Sequence, residues 1–236
     1  MNSAKTSKKL KNKLLLFLIF FFISIPLAYA APCYGTRMPG KQTFSAGAQT
    51  YIIFKRYLEN DTGKIRSTQH FFLLSYGIFD WLSLDLKGGA GNIKQHPVGS
   101  DELDYTSSFA GGYGFRLKLY DKQNLEAVFG FQHISVHPRR AYIESIKHTG
   151  VLDDWQVSFL VSRVFKKINP YLGMRWSRLD YIHWIEEDRK RNMSDRAKDL
   201  GLVLGLDIAL SPNSWLNLEG QFLDGDSLAC SINFEF

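Results

Sequence analysis

His133-Ile134-Ser135 and Glu144 are the residues of this chain that best suit nucleophilic chemistry. A serine can attack an acyl carbon when a histidine takes its proton and a carboxylate orients the imidazole. On a strand, residues 133 and 135 share a face, which here also carries Phe129 and Phe131. If that face meets lipid, an acyl substrate lies beside it. Asp180 and His183, with Asp101 and Asp104, form a second acid–histidine set. Their spacing puts Asp180 and His183 on opposite faces of a strand. The other histidines, His70, His96, His137 and His148, are spread over different segments. His133 and His137 lie too far apart on a strand to chelate one zinc easily. No metal site and no cofactor is expected.

The His133, Ser135 and Glu144 spacing resembles the His-x-Ser and downstream glutamate of outer-membrane lipid A deacylases. That resemblance implies a lipid hydrolase with Ser135 as nucleophile, His133 as base and Glu144 orienting the ring. Val136 stands where that family keeps an asparagine, Glu144 follows sooner, and this chain runs five strands further. The Asp180–His183 set is similar to outer-membrane proteases, but those use Asp-x-His rather than Asp-x-x-His. A non-enzymatic protein is therefore the leading expectation, with lipid hydrolysis as an alternative.

The elements that would hold these residues follow a leader. Residues 1–30 read as a cleaved signal peptide: five lysines up to Lys13, an apolar run from Leu14 to Ile23, and Ala28-Tyr29-Ala30 as the cleavage site. The apolar run is short for a spanning helix. Of 29 basic and 23 acidic residues, the leader removes five lysines, so the rest is nearly neutral. A nucleic-acid partner loses its support. Cys33 and Cys230 cannot staple a small domain. Cys33 is expected in a short periplasmic segment, 31–42, and Cys230 as a free thiol facing lipid.

From 43 to 236 the chain alternates with period two, as strands with two different faces do. Leu200, Leu202, Leu204, Leu206 and Ile208 alternate with Gly201, Val203, Gly205, Asp207 and Ala209. Ten strands are expected near 43–58, 68–78, 81–90, 105–120, 125–137, 153–165, 170–184, 198–210, 214–222 and 227–236. Tight connections at 79–80, 121–124, 166–169 and 211–213 alternate with longer charged ones, the asymmetry of an outer-membrane barrel. The ending Ile232-Asn233-Phe234-Glu235-Phe236 resembles the C-terminal insertion signal of bacterial outer-membrane β-barrels. The fold class is therefore all-β: a closed antiparallel transmembrane barrel with both termini periplasmic. Outer-membrane lipid, lipopolysaccharide and the β-barrel assembly machinery are its implied partners. Trp81, Tyr120, Phe165, Tyr171, Trp184, Trp215 and Phe236 are expected in aromatic girdles, and Arg163 facing lipid near a tight turn.

Parity sends Asp85, Lys87, Arg116, Lys118, Glu126, Arg175, Asp207 and Glu219 inward. Ten strands leave a narrow lumen, and buried charges of both signs should pair. The expected role is structural or in surface contact with at most a narrow pore. A small-solute porin is the alternative from the transport class.

Overall fold

The computed structural model describes residues 33–99 and 101–236; the leader lies outside them. Ten strands close into one antiparallel barrel: β1 (Phe44–Tyr57), β2 (Lys64–Phe79), β3 (Leu82–His96), β4 (Leu103–Lys122), β5 (Leu125–Val136), β7 (Ile146–Arg163), β8 (Ile168–Ile185), β10 (Leu200–Ser211), β11 (Ser214–Phe222) and β12 (Asp226–Glu235). Neighbours in sequence pair around the wall, and β1 with β12 closes it. At that seam Phe44 and Phe236 exchange backbone hydrogen bonds of 3.1 and 2.9 Å. Closure leaves no edge, the condition for a strand-built wall in lipid.

Two further short strands, β6 (Ala141–Ile143) and β9 (Asp188–Met193), pair with β7 and β8 beyond the barrel rim. They fall in segments the sequence marks as loops. β6 has only three residues and β9 is charged from Asp188 to Arg191, so alternation does not betray them. β2 also starts at Lys64, β3 runs to His96 and β7 starts at Ile146, well beyond the expected limits. All these extensions lie at the long-loop end; the four tight turns lie at the other.

The wall is low at β11–β12, where the strands have 9 and 10 residues, and high at β4, with 20. Over the low side, the loop after β1 joins the loop before β10 through a Leu58–Ser194 bridge and an Asp195 N–H to Tyr57 carbonyl bond of 3.2 Å.

Outward positions form an apolar belt: Phe72, Leu84, Leu86, Phe109, Phe159, Leu172, Met174, Leu204, Leu228 and Phe234 are all exposed. Ile232, Phe234 and Phe236 of the terminal strand face outward with them. Trp81, Tyr120 and Phe165 are exposed near the tight turns, and Arg163 lies 5.6 Å from the Phe165 ring centre. Tyr171 and Trp215 correct the expected girdle, because both point inward and are buried. Tyr171 shares parity with Arg175, and it fits because residue 205 is glycine. A Cβ there would lie 2.0 Å from the Tyr171 ring.

The inside is filled at three levels. At the long-loop end sits an apolar core that includes Ile65, Ile93, Tyr105, Ile134, Leu152 and Tyr181. A charged layer occupies the middle. From the tight-turn end, residues 33–39 rise into the lumen, with Cys33, Thr36 and Met38 buried. This corrects the expectation that 31–42 form a periplasmic segment, for the part from Cys33 to Pro39. The lumen-facing side chains at this level are small (Ser83, Ser158 and Ser162 are all buried), so the wall leaves room for a peptide. Gly35, at φ 73°, makes the turn that lets the segment bend inside. Cys33 and Cys230 are free and on opposite sides of the wall, Cys230 sharing its face with Leu228, Ile232 and Phe234.

Candidate functional site

The lumen gathers most of the charged residues that parity sends inward. Asp85, Lys87, Arg116, Arg175, Asp207 and Glu219 are buried; Lys118 and Glu126 are partly exposed at the tight-turn rim, 3.9 Å apart. Arg116 binds Asp85 with both Nε and Nη2, at 3.0 and 2.8 Å. It also donates to the Arg37 carbonyl at 2.6 Å. Lys87 lies 4.1 Å above the Tyr34 ring centre and donates to Gln49 at 2.9 Å.

Glu219 departs from the expected ion pairing. Its carboxylate accepts from the Cys33 N–H at 3.0 Å, the Tyr171 hydroxyl at 2.9 Å and the Gln221 amide at 2.5 Å. Three neutral donors thus satisfy it. Asp207 likewise accepts from Asn217 at 2.8 Å. Arg175 finds its carboxylate in Asp224, 2.8 Å away, which Arg56 also contacts. Asp224 belongs to the short loop before β12, where strand parity gives no facing. It was invisible to sequence reasoning for that reason, as was Arg56 beyond a bulge in β1.

Two cavities beside this network measure about 10 Å³ each, room for a single water. Burial holds the Cys33 thiol and the Tyr34 phenol well above their ordinary ranges, and neighbouring carboxylates add to it.

A second group lies outside. His133 and Ser135 face outward with Phe129 and Phe131, and Ser135 stands directly opposite Asp153 across the β5–β7 pair. The Ser135 hydroxyl donates to Asp153 Oδ1 at 2.5 Å, and His137 Nε2 lies 2.8 Å from the same Oγ. His133 Nε2 is 3.5 Å from Asp153 Oδ1. Its ring packs on Trp155 at 3.9 Å between centres and edge-on to Tyr113 at 5.4 Å.

Glu144 is not part of this group. With Ser145 it forms the exposed turn of the β6–β7 hairpin, both at positive φ (49° and 71°). Eight steps along the strand lead from Ser145 to Asp153, about 26 Å along its axis. The carboxylate beside Ser135 is Asp153, and the second histidine is His137. Register across the long 137–145 connection determines Asp153, so spacing could not give it; His137, two residues after Ser135, follows from the same alternation as His133.

The other acid–histidine set comes apart. Asp180 accepts from Arg191 Nε at 2.7 Å, whereas His183 meets His148 at 3.0 Å. Asp104 pairs with Lys94, and Asp101 is exposed in a loop. Among the described residues, no three His, Cys, Asp or Glu side chains gather as a metal site.

No protein-family model matches this chain, and no curated protein does. Solved structures that are similar to it are membrane barrels. An outer membrane channel from Pseudomonas putida F1 is 8% identical with a TM-score of 0.49, covering 87% of this chain and 100% of that one. The translocator domain of the autotransporter NalP from Neisseria meningitidis is 11% identical with a TM-score of 0.47, covering 86% and 90%. Ail, the attachment invasion locus protein of Yersinia pestis, is 12% identical with a TM-score of 0.40, covering 84% and 100%.

Proposed function

We propose that this chain is a bacterial outer-membrane barrel with a filled lumen, acting in envelope structure or surface contact rather than in solute passage. One observation carries the reading: the lumen holds the chain's own residues 33–39 at one end and an apolar core at the other. Buried ion pairs lie between them. A hydrated solute has no continuous path through such a filling.

The apolar outer belt and the aromatic C-terminal strand support an outer-membrane location, with lipid and lipopolysaccharide around the wall and the β-barrel assembly machinery as inserting partner. Tight turns and both termini belong on the periplasmic side, and the long loops outside. Exposed Arg139, Arg140, Arg189 and Lys190 at the long-loop end suit contact with phosphate groups there.

Reconstitution of the folded protein into planar bilayers tests the proposal. The expected record shows no steady conductance steps. Steps of open-channel size would overturn it and make the chain a small-solute porin.

A further inference from the structure

We infer that Ser135, His137, His133 and Asp153 form a hydrolase site on the outer wall, acting on ester-linked acyl chains of lipid in the outer leaflet. The inference goes beyond the filled-lumen reading and rests on its placement of the outer face in lipid and of the long loops outside.

Four observations converge on it. The nucleophile candidate has a base in contact, since Ser135 Oγ lies 2.8 Å from His137 Nε2. A carboxylate is in reach of the same hydroxyl at 2.5 Å. His133 Nε2 lies 3.5 Å from Asp153 Oδ1, so a second imidazole faces the same carboxylate. Finally, Ser135 is the last residue but one of β5, with Trp155 and Tyr113 packed on its neighbour His133. From the tight-turn end of β5 at Leu125, the rise along a strand tilted by about 40° brings Ser135 roughly 25 Å up the wall, the height of the apolar band, and so to the interface where the ester groups of lipids lie.

The Ser135 hydroxyl has one proton and two acceptors. Imidazole is the far stronger base, so His137, in its Nδ1–H form, takes that proton as Oγ bonds to the ester carbon. Asp153 stays ionised and stabilises the imidazolium. His133 Nε2, 3.5 Å from Asp153 Oδ1, holds that carboxylate in place. The carbon–oxygen bond to the lipid alcohol then breaks, and that oxygen receives the proton from His137. Water next adds to the acyl carbon and gives a proton to His137. The Oγ–carbon bond breaks, Ser135 regains its proton, and a fatty acid leaves. The sum is ester plus water giving acid plus alcohol, with no other reactant. Glu144 has no role in this scheme, and Asp153 is a positioning residue.

The test uses the full-length folded barrel in vesicles of phospholipid alone and of phospholipid with lipopolysaccharide. Fatty acid release is followed by mass spectrometry, and a fluorophosphonate probe reports serine reactivity. The wild type is expected to release fatty acid from at least one vesicle type, which identifies the lipid, and to take the label on Ser135. Ser135→Ala and His137→Ala should lose both while keeping heat-modifiable gel mobility, and Glu144→Gln should keep both. Asp153→Asn should slow release roughly hundredfold and move the acid limb of the pH–rate profile to lower pH. A merely structural role would leave that limb in place. A folded wild type that co-floats with vesicles yet releases nothing and takes no label overturns the inference. So does release that Ser135→Ala leaves intact. Failure to co-float would instead overturn the membrane placement itself.

Discussion

Arg116 holds Asp85 through two hydrogen bonds and, with its third nitrogen, the carbonyl of Arg37 at 2.6 Å. One guanidinium thereby joins the β3–β4 wall to the peptide that fills the lumen. Bidentate geometry suits arginine, and lysine could not reproduce it. The segment is also held at its inner end by Glu219 and at its outer end by Arg37, whose guanidinium lies 4.3 Å over the Trp215 ring.

Replacing Arg116 with Ala leaves Asp85 charged, buried and without its partner. The expected loss is about 3–5 kcal/mol of barrel stability. Urea unfolding in vesicles, followed by tryptophan fluorescence, measures it. A loss under about 1 kcal/mol, the size of an exposed pair, would show that the lumen is wetter than the structure has it.

Cys33 supplies a pH-dependent probe of the same segment. Burial and Glu219 raise its thiol pKa, so at any given pH less thiolate is present than in an exposed cysteine. Reaction with a water-soluble maleimide should therefore be slow in the folded barrel and stay slow as pH rises through the ordinary thiol range. Urea should restore an ordinary rate. In a Cys230→Ser background the label reports Cys33 alone; rapid labelling of the folded form would place residues 33–39 outside the lumen.

Strand parity made much of this legible. Asp85, Arg116, Arg175 and Glu219 alternate with leucines and aromatics, and a period of two has only one way to sort them in a barrel wall. Parity does not extend to partners. Glu219 is satisfied by Cys33, Tyr171 and Gln221 because the N-terminal peptide returns into the lumen, and nothing in its composition announces that return. Asp224 reaches Arg175 from a loop with no periodicity. On the outer wall, the His133–Ser135 face followed from the same alternation, whereas Asp153 depended on register across a connection that grows its own hairpin.

Glu219 distinguishes hydrogen bonding from charge pairing. Glu219→Ala strands the Cys33 N–H, the Tyr171 hydroxyl and the Gln221 amide, and should cost about 1–3 kcal/mol or more. Glu219→Gln keeps an acceptor oxygen and should cost clearly less. Equal losses in the two variants, measured by the same urea titration, would mean that the negative charge itself matters most.

Gly205 and Tyr171 give the sharpest steric test, because the ring stands where a side chain at 205 would begin. A Cβ at 205 would lie 2.0 Å from the ring and 2.3 Å from its hydroxyl oxygen. Ring and wall are both held, the hydroxyl by Glu219 and Asn217 at 2.9 Å each, so the ring cannot simply swing away. Gly205→Ala should therefore cost about 1–3 kcal/mol, the range for overpacking. Tyr171→Ala alone should also destabilise, by removing the buried ring and leaving Glu219 one donor short. Combined, the two changes should cost less than their sum, because the methyl group introduced at position 205 then enters space the ring has vacated. Strict additivity in that double-mutant cycle would mean that Tyr171 does not lie against residue 205, and the inward facing of Tyr171 would fall with it.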